Sequence, residues 1–139
     1  MVGIAVWGST VRASQAAGAA KTVWDGVYTE EQAKRGDVVY RTNCATCHGT
    51  NLEGGEMAGG LATPSFLSNW NGTDLGQLFD RIKKTMPDDK PGILTREETG
   101  DVLAYVLSAN KFPVGKDELP KQTEVLAQIK LLSTKPSGQ

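Results

Sequence analysis

Both cysteines and the only histidine of the chain lie in one run, Thr42-Asn43-Cys44-Ala45-Thr46-Cys47-His48-Gly49. Cys-x-x-Cys-His is the spacing of covalent haem attachment. Two thiolates add across the vinyl groups of the porphyrin, and the neighbouring imidazole ligates the iron. The two-residue gap sets Cys44 and Cys47 about one helical turn apart, so both reach the same porphyrin edge. His48 can then swing beneath the ring, where a neutral imidazole nitrogen is a good iron ligand. A thioredoxin-like redox pair would need a βαβ context, and no strand pattern surrounds the motif. A zinc site would need a second Cys or His pair, which the chain does not offer. A structural disulfide would leave His48 without a role.

On the face of the iron opposite His48, a second ligand must be methionine or lysine, or the position stays open, because there is no second histidine. Met1 would be lost with a leader, which leaves Met57 and Met86. Met86 could simply continue the apolar stripe of the helix before it. Pro87 argues otherwise, since a residue before proline is pushed from helical φ/ψ into extended backbone. A soft thioether on a stiff, non-helical segment suits iron. Met57 lies nine residues after His48 in a Gly-rich loop. An extended chain of that length spans about 30 Å, so reach does not exclude it. Met86 is the favoured ligand.

Helices and loops must position these groups. Thr29-Glu30-Glu31-Gln32 is a capping box that opens a helix to about Asn43, with Ala33, Gly36, Tyr40 and Cys44 on one face. Gly36 costs such a helix about 1 kcal/mol relative to Ala, which is explained if a second helix crosses there at close range. Gly49 to Trp70 is rich in Gly, Asn, Pro and Ser and is expected to be a loop, its apolar members lying over the cofactor. Thr73 is the expected cap of a helix from Asp74 to about Thr85, with Leu75, Leu78, Phe79 and Ile82 as its buried stripe. Thr95-Arg96-Glu97-Glu98 is a second capping box, starting a helix to about Asn110 with Val102, Leu103, Val106 and Leu107 inward and Tyr105 alongside. Pro113 and Gly115 stop it. Pro120 is expected to open a short last helix with Val125, Leu126, Ile129 and Leu132 on one side, and Ser133 to Gln139 a frayed tail. Lys21 to Tyr28 is expected to be an extended lead-in.

The chain has 139 residues, 16 of them glycine, and a formal net charge of −1. That length fits one domain, and a large apolar cofactor would add buried area to a modest core. The near-neutral charge gives no basis for nucleic-acid binding. Residues 1–19 are expected to be a signal or leader segment, because Ala17-Gly18-Ala19 fits the small-x-small pattern before a cleavage point. No stretch is long enough to span a membrane, so the processed protein is expected to be soluble. Residues 20–112 then form the main domain, and 113–139 a C-terminal extension.

From about Tyr28 to Phe112 the chain resembles a class I cytochrome c. Gly36 and Tyr40 precede the Cys44–His48 motif, Met86-Pro87 follows it, and Asp101-Val102-Leu103-Ala104-Tyr105-Val106 closes it. Val23-Trp24-Asp25-Gly26-Val27-Tyr28 and Thr85-Met86-Pro87 also resemble small cytochrome c domains found with quinoprotein alcohol dehydrogenases. The resemblance implies an all-α cytochrome c fold, in which the first and last helices cross through Gly36 and Tyr40 against Val102 and Tyr105. Long loops would wrap one covalent haem c, with His48 and Met86 on the iron. Trp70 and Arg81 become candidates to hydrogen-bond the haem propionates. The family commonly orients its proximal histidine with the carbonyl of a loop proline. Here Ala58-Gly59-Gly60-Leu61 stands in that place and Pro64 lies further on, so the carbonyl of Gly59 or Gly60 could do the same work, and which residue orients His48 stays open.

The function so implied is a one-electron carrier rather than an enzyme. It would be periplasmic or otherwise exported, working between a dehydrogenase or other respiratory donor and an oxidase or cytochrome acceptor. Arg81, Lys83, Lys84 and Lys90 would form a basic rim for an acidic partner, or simply a solvated face. The alternatives are an open-site haem enzyme or ligand-binding cytochrome, and a haem subunit docked on one dehydrogenase through Leu119–Leu132.

Overall fold

The computed structural model describes residues 21–137; the expected leader, 1–19, lies outside them. Two long helices cross and carry the fold. The first, α1 (Glu30–Asn43), starts where Thr29 accepts a hydrogen bond from the Gln32 amide at 3.2 Å, with Glu30 and Glu31 in its first turn. Both acids favour the positive end of the helix dipole. The expected capping box is only half present. The Gln32 side chain is buried and accepts from the Leu119 amide at 2.8 Å instead of returning to Thr29. A buried amide donor needs a partner, and the C-terminal segment has claimed Gln32 as its own.

After α1 come α2 (Ala45–His48), α3 (Pro64–Trp70), α4 (Leu75–Thr85), α5 (Arg96–Ala109) and α6 (Thr123–Leu126). The expected all-α class with crossing terminal helices is what forms. The crossing of α1 and α5 sits at Gly36. A Cβ there would fall inside the van der Waals envelope of the Asp101 carbonyl oxygen and 2.8 Å from the Tyr105 Cβ. The Tyr40 and Tyr105 rings meet beside it, tilted by 52° with centroids 5.3 Å apart. At the rim of the crossing the Arg35 guanidinium donates to both Asp101 carboxylate oxygens at 3.1 Å and to Glu118 at 2.6 Å.

Several expected boundaries shift. Residues 49–70 are not all loop, because α3 begins at Pro64 under the Thr63 hydroxyl, which accepts from the Phe66 amide at 3.2 Å. Proline at the first helical position after a threonine cap is a start signal, and the surrounding Gly and Asn content masks it. Asp74, not Thr73, caps α4, accepting from the Gln77 amide at 3.0 Å. The second expected capping box is complete, with Glu98 returning to the Thr95 amide at 2.8 Å. α5 ends at Asn110 and a left-handed Lys111 (φ 68°), ahead of the expected Pro113 and Gly115 stop.

The lead-in and the C-terminal segment pair with each other. β1 (Lys21–Thr22) and β2 (Ile129–Lys130) form a short parallel ladder, and the Trp24 indole donates to the Leu132 carbonyl at 3.0 Å. The expected last helix is therefore only α6, and its expected face is partly wrong. Val125 is exposed, whereas Leu126, Ile129 and Leu131 are buried. Leu119, Leu126, Ile129 and Leu131 join Tyr28, Tyr40, Leu75, Phe79, Leu103 and Leu107 in one core. The apolar side chains once available for docking through Leu119–Leu132 are largely consumed inside the molecule. Ser133, expected in a frayed tail, donates its amide to Asn71 at 2.8 Å.

Candidate functional site

The Cys44–His48 run forms at a break between helices. Cys44 ends α1, its amide still bonded to the Tyr40 carbonyl at 2.8 Å, and its carbonyl begins α2 by accepting from Cys47 and His48 at 3.2 and 3.0 Å. That single turn sets Cys44 and Cys47 three residues, about one turn, apart. Both are half-buried and neither is in a disulfide. Burial, and secondarily Cys47, pushes the Cys44 thiol up to about 11, so it is neutral. Among the described residues no group of three His, Cys, Asp or Glu side chains could hold a metal ion, so carboxylates do not complete a zinc site here.

His48 is held from behind. Its Nδ1 lies 2.7 Å from the Gly59 carbonyl oxygen. A carbonyl can only accept, so Nδ1 carries the proton and Nε2 keeps a lone pair free for a metal. Such a second partner fixes tautomer and ring orientation and raises ligand basicity. Of the two carbonyls expected for this task, Gly59 performs it.

The loop delivering Gly59 is tied at several points. The Gly54 amide returns to the His48 carbonyl at 2.7 Å, and the Gly55 amide to the Ala58 carbonyl at 2.9 Å. Leu61 and Ala62 both donate to the Leu52 carbonyl, at 2.9 and 3.1 Å. Gly54 has φ +86° and approaches Gly60 so closely that a Cβ would lie 2.5 Å from the Gly60 nitrogen. The Tyr40 hydroxyl donates to the Gly49 carbonyl at 2.6 Å, and Asn110 Nδ2 to the Leu61 carbonyl at 2.8 Å, anchoring the loop to α1 and α5. Nothing in the spacing of the sequence announces the Tyr40 and Asn110 anchors.

The remaining expected residues lie on α3, α4 and the segment after it. Trp70 ends α3, half-buried, its ring 6.4 Å from Phe66. Arg81 is exposed on α4. Met86 leaves α4 with φ −114° and ψ 151°, extended as a residue before proline should be, and is half-buried. Met57 is 79% exposed. The basic rim is not uniformly basic. Lys84 pairs with Asp80 at 2.9 Å, Lys83 donates to the Gly92 carbonyl at 3.3 Å, and Asp88 and Asp89 stand exposed beside Lys90.

The donor set fits a haem. Two unpaired thiols one turn apart adjoin an imidazole whose Nε2 is free. Leu61, Leu67, Trp70 and Ile82 pack on the core yet stay only partly buried, which leaves apolar surface for a large apolar group to cover.

A family model described as "Cytochrome C oxidase, cbb3-type, subunit III" matches residues 31–106, more than half of the chain. Among curated proteins, the cytochrome bc1 complex cytochrome c subunit of Corynebacterium diphtheriae is 32% identical over 89 residues, covering 64% of this chain and 31% of that protein. Its counterpart from Corynebacterium efficiens is 28% identical over 90 residues, covering 65% of this chain and 30% of that one. The chain thus spans about a third of the length of these relatives. Among solved structures, the sulfane dehydrogenase SoxCD of Paracoccus pantotrophus superposes with a TM-score of 0.51 at 21% identity, over 78% of this chain and 61% of that one, a likeness of fold alone.

Proposed function

Because the chain belongs to the cytochrome c family represented by that model, we propose that it binds one haem c through Cys44 and Cys47 and carries single electrons between redox proteins. The observation that carries this is the Cys44–Cys47–His48 turn with His48 Nδ1 committed to the Gly59 carbonyl. When bound, haem supplies a one-electron couple at its iron. His48 would ligate the iron through Nε2, its ring held by the Gly59 carbonyl, and Met86 would supply the second protein ligand. Its extended backbone and partial burial support it, and the 79% exposure of Met57 disfavours the rival. Thioether and imidazole together favour the reduced state and leave no position for substrate. Trp70 and Arg81 are assigned to the propionates.

Donor and acceptor are redox proteins, a dehydrogenase or other respiratory donor and an oxidase or another cytochrome. Location is periplasmic or otherwise exported, since haem is joined to this motif outside the bacterial cytoplasm. A haem-bearing subunit of a larger respiratory complex is the second reading, favoured by the matched bc1 subunits.

Visible spectra of oxidised and reduced holoprotein, with and without carbon monoxide, test the carrier. A six-coordinate carrier keeps its reduced spectrum under carbon monoxide. Rapid, complete conversion to a carbon monoxide complex would instead show an open site and an enzyme or ligand-binding role.

A further inference from the structure

Met86 caps α4, its backbone already extended but its amide still bonded to the Ile82 carbonyl at 3.0 Å. The position of α4 therefore sets the point from which Met86 departs. Core packing holds the first part of that helix, where Leu75, Leu78 and Phe79 are buried, but Ile82 is only half-buried. The second anchor centres on Thr123, beyond the family match, which ends at residue 106. The Thr123 hydroxyl donates to Asp80 Oδ1 at 2.7 Å and accepts from Arg96 Nη2 at 3.1 Å. Arg96 also donates through Nε to the Lys121 carbonyl at 2.8 Å, while its guanidinium lies 4.7 Å over the Phe79 ring. One hydroxyl thus links α5, α6 and α4.

α4 and α6 also approach closely. A Cβ on Gly76 would lie 2.7 Å from the Thr123 carbonyl oxygen and 2.9 Å from the Ala127 nitrogen. Just before α4, Leu131 donates to Thr73 at 2.9 Å, and Gly72 to Leu131 at 2.8 Å. Asp80 is held below the usual carboxylate range, first by its bond to Lys84 and then by Thr123, so it is a charged acceptor.

We propose that the C-terminal segment clamps α4, with Thr123 and Gly76 as positioning residues that keep Met86 on the iron. This rests on Met86 being the sixth ligand. Exogenous imidazole competes for that position, and its affinity for ferric holoprotein, titrated by the visible spectrum, reads how firmly Met86 is held. Thr123→Val removes both hydroxyl bonds, each of them to a charged group, and is expected to bind imidazole about threefold to tenfold more tightly than the wild type. Gly76→Ala, which pushes α6 off α4 by a different route, should shift affinity in the same direction. Thr123→Ser keeps the hydroxyl and should restore wild-type affinity. Thr29→Ala, which loses the cap of α1, should lower the melting point and leave imidazole affinity unchanged.

If Thr123→Val and Gly76→Ala both match the wild type while Met86→Ala binds imidazole far more tightly, the clamp is wrong and the ligand assignment stands. If the wild type already binds imidazole as tightly as Met86→Ala, the sixth-ligand assignment itself fails. An equal shift in Thr29→Ala would reduce the effect to general loosening and overturn the clamp.

Discussion

Replacing Gly36 by alanine adds one methyl group at the crossing of α1 and α5, and two opposing effects can be weighed. Alanine is a better helix former than glycine by about 1 kcal/mol, which favours the variant. Against this, the new Cβ would sit 2.8 Å from the Tyr105 Cβ and closer still to the Asp101 carbonyl, where carbon atoms prefer about 3.5–4.0 Å. The obstructing atoms are largely backbone, so no side-chain rotation relieves the overlap and the helices must part. Overpacking of this kind costs about 3 kcal/mol, for a net loss of about 2 kcal/mol. In a domain of this size that lowers Tm by about 6–8 °C.

Gly100→Ala on α5 is the matched control. Its Cβ would meet Gln32 Nε2 at 3.7 Å, an ordinary contact. Only the propensity gain remains, and Tm should rise by up to about 3 °C. The assay is thermal unfolding of both holoproteins by far-UV circular dichroism, repeated in urea to check that the slope is unchanged. A Gly36→Ala variant that melts at or above the wild type would refute the close crossing.

Met86→Ala should keep its haem, admit carbon monoxide to the ferrous iron and lower the reduction potential, whereas Met57→Ala should do none of these; spectra and potentiometry distinguish the two. Protein exported from a haem-attaching host should exceed the processed apoprotein in intact mass by one haem, and Cys44→Ser or Cys47→Ser should sharply reduce the yield of holoprotein. Gln32→Leu leaves the buried Leu119 amide without its acceptor, and should cost about 1–3 kcal/mol in a urea melt. An unaltered midpoint there would mean that water or another carbonyl replaces Gln32.

What could be read from the sequence was decided within a few residues. Cys44, Cys47 and His48 carry their chemistry in their spacing. Thr95 and Glu98 start α5 because their partners are three residues apart. Met86 leaves α4 because Pro87 bars helical backbone directly before it. The stripe of Leu75, Leu78 and Phe79 reports a buried face through helical periodicity alone.

The tertiary structure decided wherever one group had several possible partners far apart in the chain. Gln32 could have completed a local capping box, but the Leu119 amide, buried beside it, would otherwise have gone unpaired. Gly59 rather than Gly60 faces His48, in a loop closed where a Cβ on Gly54 would lie 2.5 Å from the Gly60 nitrogen. The pairing of β1 with β2, and the bond from Arg96 through Thr123 to Asp80, join residues that no local pattern relates. A polar group buried by folding must take the partner that the packed chain leaves within reach, and that choice exists only once the whole chain has closed around it.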